Sequence, residues 1–104
     1  MRLVFAEPAA EDFNALIDYI ALDNLVAAEK VFDVITAAAR QLVDFPGMGR
    51  PGRVPGTREL PLPSLPYLLV YRVEVDTVTI LAVFHSARDL NRALQERRRT
   101  IEEA

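Results

Sequence analysis

The sequence predicts an α+β domain made of a short strand, a helical hairpin, three further strands and a final helix. Two observations support this prediction. Apolar residues recur at helical spacing through the first half of the chain. Segments 67–73 and 78–85 in the second half are rich in β-branched and aromatic residues. This grouping of elements favours an antiparallel sheet with the hairpin packed on it.

The first predicted strand, residues 2–6, leads into two helices. Pro8 suits the first turn of a helix, where its missing N–H costs nothing. One apolar stripe follows at helical spacing: Phe13, Leu16, Ile17 and Ile20. Residues 22–24 interrupt it, and Asp23 or Asn24 can cap the second helix, which runs to about Asp44. Because this linker is short, the helices should form an antiparallel hairpin.

The second half of the chain predicts the sheet. Proline and glycine end the helix at residues 45–56 and prevent another. Segment 57–63 contains prolines that suit an edge strand. The strands 67–73 and 78–85 flank a turn at 74–77 and are apolar on both faces, so the sheet needs cover on both sides. We expect the hairpin on one side. A partner chain could cover the other.

The final predicted helix, residues 86–104, is mostly polar, and its apolar positions are sparse. It is either loosely docked on the sheet or completed by a partner.

Length and composition indicate one small domain over residues 1–104 with one packed core, since 51% of the residues are apolar. The absence of cysteine excludes disulfides, thiolate metal sites and cysteine nucleophiles. With one histidine besides, we expect no metal and no organic cofactor. The apolar patch at the N-terminus is too short for a signal peptide, so we expect a cytoplasmic protein.

Charge is distributed unevenly along the chain, whose net charge is −3. Residues 1–49 carry three basic and eight acidic side chains (3 − 8 = −5), whereas residues 50–104 carry nine and seven (9 − 7 = +2). Eleven of the twelve basic residues are arginine, whose planar donor fork suits carboxylate or phosphate groups. A genome that prefers arginine codons would give the same excess. The C-terminal half could therefore face an anion.

Segment 49–60, GRPGRVPGTREL, concentrates positive charge on a bending stretch of chain. Arg50, Arg53 and Arg58 stand among three glycines and two prolines, and no acid appears before Glu59.

The chain resembles toxins of the RelE/ParE superfamily, the growth-inhibiting halves of bacterial type II toxin–antitoxin pairs. DFNALIDYIALDN and AAEKVFDVI resemble the helical hairpin of that superfamily, and LVDFPGMGRPGRVPGTREL its central loop and second strand. PYLLVYRV and ILAVFHSARD resemble its two core strands. The resemblance implies a compact toxin neutralised by a co-expressed antitoxin, a small DNA-binding protein that lays segments over the sheet and groove of the toxin.

The superfamily divides by target, and its RelE-like members cut messenger RNA on the ribosome. Metal-independent RNA cleavage needs a base, an acid and cations that stabilise the phosphorane. The resemblance makes Arg58 and Arg88 candidate phosphate clamps and His85 the candidate acid or base. Arg50 and Arg53 could hold flanking phosphates.

Each of these residues also has a structural alternative. His85 could satisfy a local hydrogen bond, and Arg58 could pair with Glu59. Arg88 could be a surface charge, and Arg50 and Arg53 could belong to a solvated loop.

ParE-like members poison DNA gyrase and are not nucleases, and three features favour that target here. No aromatic residue follows the last strand to stack on a base, and Phe84 should point away from His85. The net charge is negative, although phosphate contacts dominate RNA affinity. A helical tail carries Arg97, Arg98 and Arg99, which are candidate contacts to the target or the antitoxin, although nearby acids could simply balance their charges.

We therefore favour gyrase poisoning and no enzymatic activity, with mRNA cleavage as the alternative. A third hypothesis is an inactive member that only binds its antitoxin and regulates their operon. We also expect antitoxin carboxylates to meet some loop arginines, including Arg58.

Overall fold

Eight elements follow one another in the computed structural model, which describes residues 1–103. They are β1 (Arg2–Phe5), α1 (Glu7–Ala21), α2 (Leu25–Asp44), β2 (Arg50–Pro51), β3 (Arg58–Pro61), β4 (Tyr67–Val73), β5 (Thr77–His85) and α3 (Leu90–Glu103). The predicted α+β class is confirmed. The short strand β2 lies inside the segment that we predicted as a loop. The final helix begins at Leu90 rather than at residue 86, and residue 104 of the predicted helix lies outside the described residues.

The strands form one sheet in the order β1-β5-β4-β3-β2. Neighbours from β5 to β2 pair antiparallel, as predicted. The exception is β1, which lies parallel to β5 with Arg2 opposite Thr77 and Phe5 opposite Ile80. The prediction of an antiparallel sheet therefore fails for this one pair, because a strand's own residue pattern does not specify its neighbour.

The helical hairpin forms as predicted. Pro8 lies in the first turn of α1. Asn24, not Asp23, caps α2: its side-chain oxygen accepts a hydrogen bond of 3.0 Å from the N–H of Ala27. The ring of Phe13 on α1 stacks with that of Phe32 on α2, with centroids 5.3 Å apart. The aromatic contact helps to hold the two helices against each other.

Both faces of the sheet are covered by the chain itself. On one face, Ile35 and Leu42 of α2 belong to the same buried cluster as Leu69 and Ile80 of the sheet. On the other face, three residues of α3 pack on the sheet: Ala93, Leu94 and Ile101. Of our two alternatives for the last helix, docking is the one observed, and a partner is not needed to cover this face. Three apolar positions suffice because each is almost fully buried.

A β-bulge sets the direction of the last side chains of β5. Val70 pairs with Ala82 and Tyr71 with Ile80, so Leu81 is the extra residue. As a result Leu81 and Ala82 both join the cluster under α3. Beyond the bulge the side chains of β5 alternate between the two faces again, shifted by one residue. Phe84 therefore faces α3 and His85 the hairpin face, and the two point to opposite faces as predicted.

Among residues 1–103, no helix combines the length and apolar character that crossing a bilayer requires.

Candidate functional site: the arginine loop and its neighbours

The arginine loop, residues 45–57, is anchored to the sheet by Tyr71. The hydroxyl of this buried β4 residue donates to the carbonyl of Pro46 at 2.7 Å and accepts from the N–H of Gly49 at 2.9 Å. A Cβ on Gly49 would lie 2.7 Å from that hydroxyl and 2.8 Å from the backbone oxygen of Glu59. Glycine is thus required at 49 because the chain passes too close to the sheet for a side chain.

Glu59 lies beneath the loop and is its central acceptor. Its side chain is 1% exposed. One carboxylate oxygen accepts from a guanidinium nitrogen of Arg50 at 3.3 Å, and the other accepts from the backbone N–H of Arg53 at 2.9 Å. The Arg53 guanidinium approaches the same carboxylate at 3.8 Å. Folding therefore brings Arg50 and Arg53 to an acid that lies nine and six positions further along the chain, although both side chains keep the exposure that a solvated loop implies.

Arg58 holds the loop by a different route. Its guanidinium donates to the carbonyl of Gly49 at 3.1 Å and to that of Gly47 at 3.2 Å. It does not pair with Glu59, which was our structural alternative. Neighbouring residues of a strand point to opposite faces: Arg58 lies opposite Tyr71, and Glu59 lies opposite Val70.

His85 ends β5 on the hairpin face of the sheet. Its ring meets that of Tyr67 edge-on, with centroids 5.5 Å apart. Its Nδ1 accepts a hydrogen bond of 3.0 Å from the N–H of Ala87. In the neutral ring this places the proton on Nε2. The local hydrogen bond that we weighed against a catalytic role is therefore present.

The three candidate catalytic residues do not converge. Arg58 lies opposite Tyr71, whereas His85 lies opposite Tyr67, four residues along the same strand. With about 3.4 Å per residue and about 4.8 Å between each pair of strands, the Cα atoms of Arg58 and His85 are about 17 Å apart. Arg88 lies on the other face, its guanidinium 5.1 Å from the ring centroid of Phe84 and 3.9 Å from Glu96.

The three consecutive arginines of α3 occupy different environments. Arg97 is only 21% exposed and forms two hydrogen bonds, of 2.8 and 2.9 Å, with the carboxylate of Asp12 on α1. These bonds raise the pKa of Arg97 above its ordinary value. Arg98 and Arg99 pair one turn ahead with Glu102 and Glu103. Arg97 is therefore part of the packing, while its two neighbours face solvent.

The tip of the hairpin exposes apolar side chains that the sequence analysis did not single out. Four residues form this hairpin tip, with Tyr19 76% and Leu22 87% exposed: Tyr19, Leu22, Leu25 and Val26. A cavity of about 670 Å³ adjoins it. A signal was present in the sequence, because Leu22 belongs to the interruption at residues 22–24, and Leu25 and Val26 follow that interruption directly.

No group of three or more histidine, aspartate or glutamate side chains within the described part of the chain is arranged to hold a metal ion.

Comparison with known proteins gives three consistent matches. A family model described as "ParE toxin of type II toxin-antitoxin system, parDE" matches residues 3–90. A curated Sinorhizobium fredii protein named "Putative toxin Y4kP" is 44% identical over 68 residues, which is 65% of this chain and 70% of that protein. The solved structure titled "Chromosomal ParDE TA system from P. aeruginosa" matches with a TM-score of 0.73 and 31% identity, over 82% of this chain and 95% of the other.

Proposed function

This chain belongs to the ParE toxin family of type II toxin–antitoxin systems, and on that premise we propose that it poisons DNA gyrase and is neutralised by a co-expressed antitoxin. It is the toxin component of such a pair. The choice of gyrase as the target is the more specific part of this proposal. It rests on whether the candidate arginines and His85 can act on the same phosphate.

The separation of Arg58 from His85 carries the proposal. RNA cleavage without a metal requires the proton-transfer group and the charge-stabilising cations around one phosphate. Here the Cα atoms of Arg58 and His85 are about 17 Å apart along and across the strands. The Arg58 guanidinium donates to the carbonyls of Gly47 and Gly49. The guanidinium of Arg88 lies over Phe84 on the opposite face. This arrangement supports a toxin that acts by binding, without cutting RNA.

The charge of the protein supports the same target class. A ribosome-directed nuclease gains most of its affinity from phosphate contacts, which favours a basic chain. This chain has a net charge of −3 and a sequence pI of about 5.1. A protein target such as gyrase does not require a basic toxin. Because gyrase acts in the cytoplasm, this target would also place the toxin there.

The antitoxin, a small DNA-binding protein in this proposal, would use the exposed arginines. The side chains of Arg50 and Arg53 are 52% and 40% exposed although both approach Glu59, so each can donate to a second carboxylate. Arg58 contributes by holding the loop in place. Arg98 and Arg99 also face solvent, whereas the pairing of Arg97 with Asp12 leaves it little capacity for a partner.

Induced expression in cells tests the target. We expect condensed or unsegregated nucleoids, loss of negative supercoiling in a reporter plasmid, and inhibition of supercoiling by purified gyrase when the purified chain is added. Intact nucleoids together with cleaved ribosome-bound messages would replace gyrase by mRNA as the target. Harmless induction would favour the inactive, antitoxin-binding alternative. The antitoxin is tested separately, by asking whether the product of the adjacent open reading frame co-purifies with the chain and restores growth.

A further inference from the structure

A small polar pocket lies between the arginine loop and α3, and we propose that it is a carboxylate-binding subsite for an acidic side chain of the antitoxin. The pocket has a volume of about 260 Å³. Six residues line it: Arg53, Val54, Asn91, Leu94, Gln95 and Arg98. We call it the loop–α3 pocket. The inference rests on the proposed antitoxin partner and specifies where and by what chemistry that partner is held.

Two packed elements hold the walls of the loop–α3 pocket in place. Asn91, Gln95 and Arg98 stand at positions i, i+4 and i+7 of α3, so they share one face of the helix. Leu94 and Val54, which are 2% and 4% exposed, form an apolar floor in one buried cluster. The burial of Val54 places its neighbour Arg53 at the rim.

The backbone N–H of Arg53 is fixed as well, by a 2.9 Å hydrogen bond to the buried carboxylate of Glu59. The rim is therefore preorganised on the loop side as well as on the helix side.

The rim presents donors that the fold does not use. The carboxamides of Asn91 and Gln95 make no hydrogen bond to any residue in the range 1–103. The Arg53 guanidinium makes only the 3.8 Å approach to Glu59. The Nε of Arg98 donates to Glu102, and the two terminal guanidinium nitrogens of Arg98 make no hydrogen bond within residues 1–103. No carboxylate lines the pocket, although acidic residues outnumber basic ones in the chain by 15 to 12.

A protein carboxylate fits this chemistry better than a nucleic-acid phosphate. Two guanidinium groups and two carboxamides can bind one carboxylate through charge-assisted and neutral hydrogen bonds. A nucleic acid would also bring a row of further phosphates towards a chain whose net charge is −3, so long-range repulsion would offset the local attraction.

The pocket also depends on a part of the chain that the family model does not cover. The match ends at residue 90, and α3 begins at Leu90. Three of the four donors of the loop–α3 pocket therefore come from the segment beyond the matched residues.

Titration by NMR provides a direct test. The chain has three asparagines and two glutamines, so the side-chain amide signals of Asn91 and Gln95 are readily assigned. A blocked, glutamate-rich octapeptide serves as the probe at low salt, and a single-stranded oligothymidylate of equal net charge serves as the competitor class. We expect saturable shifts of both amide signals with the peptide, and a dissociation constant about fivefold higher in Arg98→Gln.

Arg92→Gln is the matched control, because it also removes an arginine that pairs one turn ahead on α3 but lies outside the pocket. Its dissociation constant should equal that of the unmodified chain. Absence of saturable shifts, or equal weakening by both substitutions, would overturn the subsite. Tighter binding of the oligothymidylate would overturn the choice of a protein carboxylate. Toxicity in cells is scored in parallel: a toxic chain that ignores the peptide refutes only the subsite, whereas a harmless chain refutes the proposed function.

Discussion

Arg97 of α3 and Asp12 of α1 form a two-pronged ion pair, 2.8 and 2.9 Å long, across the edge of β5. The same carboxylate accepts a 3.0 Å hydrogen bond from the N–H of Val83, and the Arg97 guanidinium lies 5.1 Å from the ring centroid of Phe84. Because α1 and α3 cover opposite faces of the sheet, this pair joins both layers around the edge that β1 leaves unpaired. A second polar contact holds the end of α3, where the guanidinium of Arg72 donates a 2.8 Å hydrogen bond to the carbonyl of Ile101.

Asp12→Ala should destabilise the protein by about 2 kcal/mol, because it removes both bonds to Arg97 and leaves the N–H of Val83 without its acceptor. Denaturant unfolding measures the free energy. Asp18→Ala, at an exposed position of the same helix, should change it by less than about 0.5 kcal/mol. A double-mutant cycle with Arg97→Met should give a coupling of about 1 kcal/mol or more, and a coupling near zero would contradict the role assigned to the pair.

The ionisation of Arg97 should make the contribution of this pair to stability independent of pH around neutrality. The hydrogen bonds that Arg97 donates to Asp12 raise the pKa of Arg97, so the protonated form of Arg97 favours folding. That contribution is complete below the ordinary arginine pKa and is lost only as the pH rises through the raised value. The difference in unfolding free energy between the Arg97→Met variant and the parent should therefore stay the same from about pH 7 to about pH 9. A difference that narrows with rising pH would argue against a charged Arg97.

Tyr71→Phe should destabilise the protein by about 1–2 kcal/mol, because the N–H of Gly49 loses its acceptor in a buried position. Tyr19→Phe is the matched control, since Tyr19 is 76% exposed at the hairpin tip, and it should change stability little. Hydrogen exchange provides a second measurement, in which faster exchange of the Gly49 amide is expected in Tyr71→Phe alone. Equal effects of the two substitutions would mean that the hydroxyl does not anchor the arginine loop.

Gly49→Ala should cost about 2 kcal/mol, because its methyl group would overlap the Tyr71 hydroxyl and the backbone of Glu59. Gly47→Ala in the same loop places its Cβ in open space and should leave stability unchanged or slightly raised. Thermal unfolding of the two variants side by side distinguishes them. If Gly49→Ala unfolds at the parent's midpoint, the loop does not pass this close to the sheet.

His85→Ala should leave toxicity in cells nearly unchanged, because His85 lies far from Arg58 and its Nδ1 already accepts a hydrogen bond from the N–H of Ala87. A nuclease that used His85 as its acid or base would instead lose about 100-fold or more in activity. Growth after induction is measured at matched protein levels, with circular dichroism to check folding. A folded but harmless His85→Ala variant would favour mRNA cleavage over gyrase poisoning.

The sequence by itself determined the elements and several of their ends. The strand 67–73, the interruption at 22–24 and the end of α2 at Asp44 agree with prediction, as does the orientation of Phe84 away from His85. These features follow from periodicity, proline and capping, which act between residues a few positions apart. The arginines of the candidate site were also visible, because composition and charge need no fold.

Tertiary structure alone decided which groups those arginines meet. It placed β1 parallel to β5, laid α3 over the second face, buried Glu59 under Arg50 and Arg53, and brought Arg97 to Asp12. The partners in that last pair are 85 positions apart in the chain. Local patterns record which face of an element is apolar, but they contain no information about which distant charge or strand will lie beside it, because that choice is made only when whole layers pack.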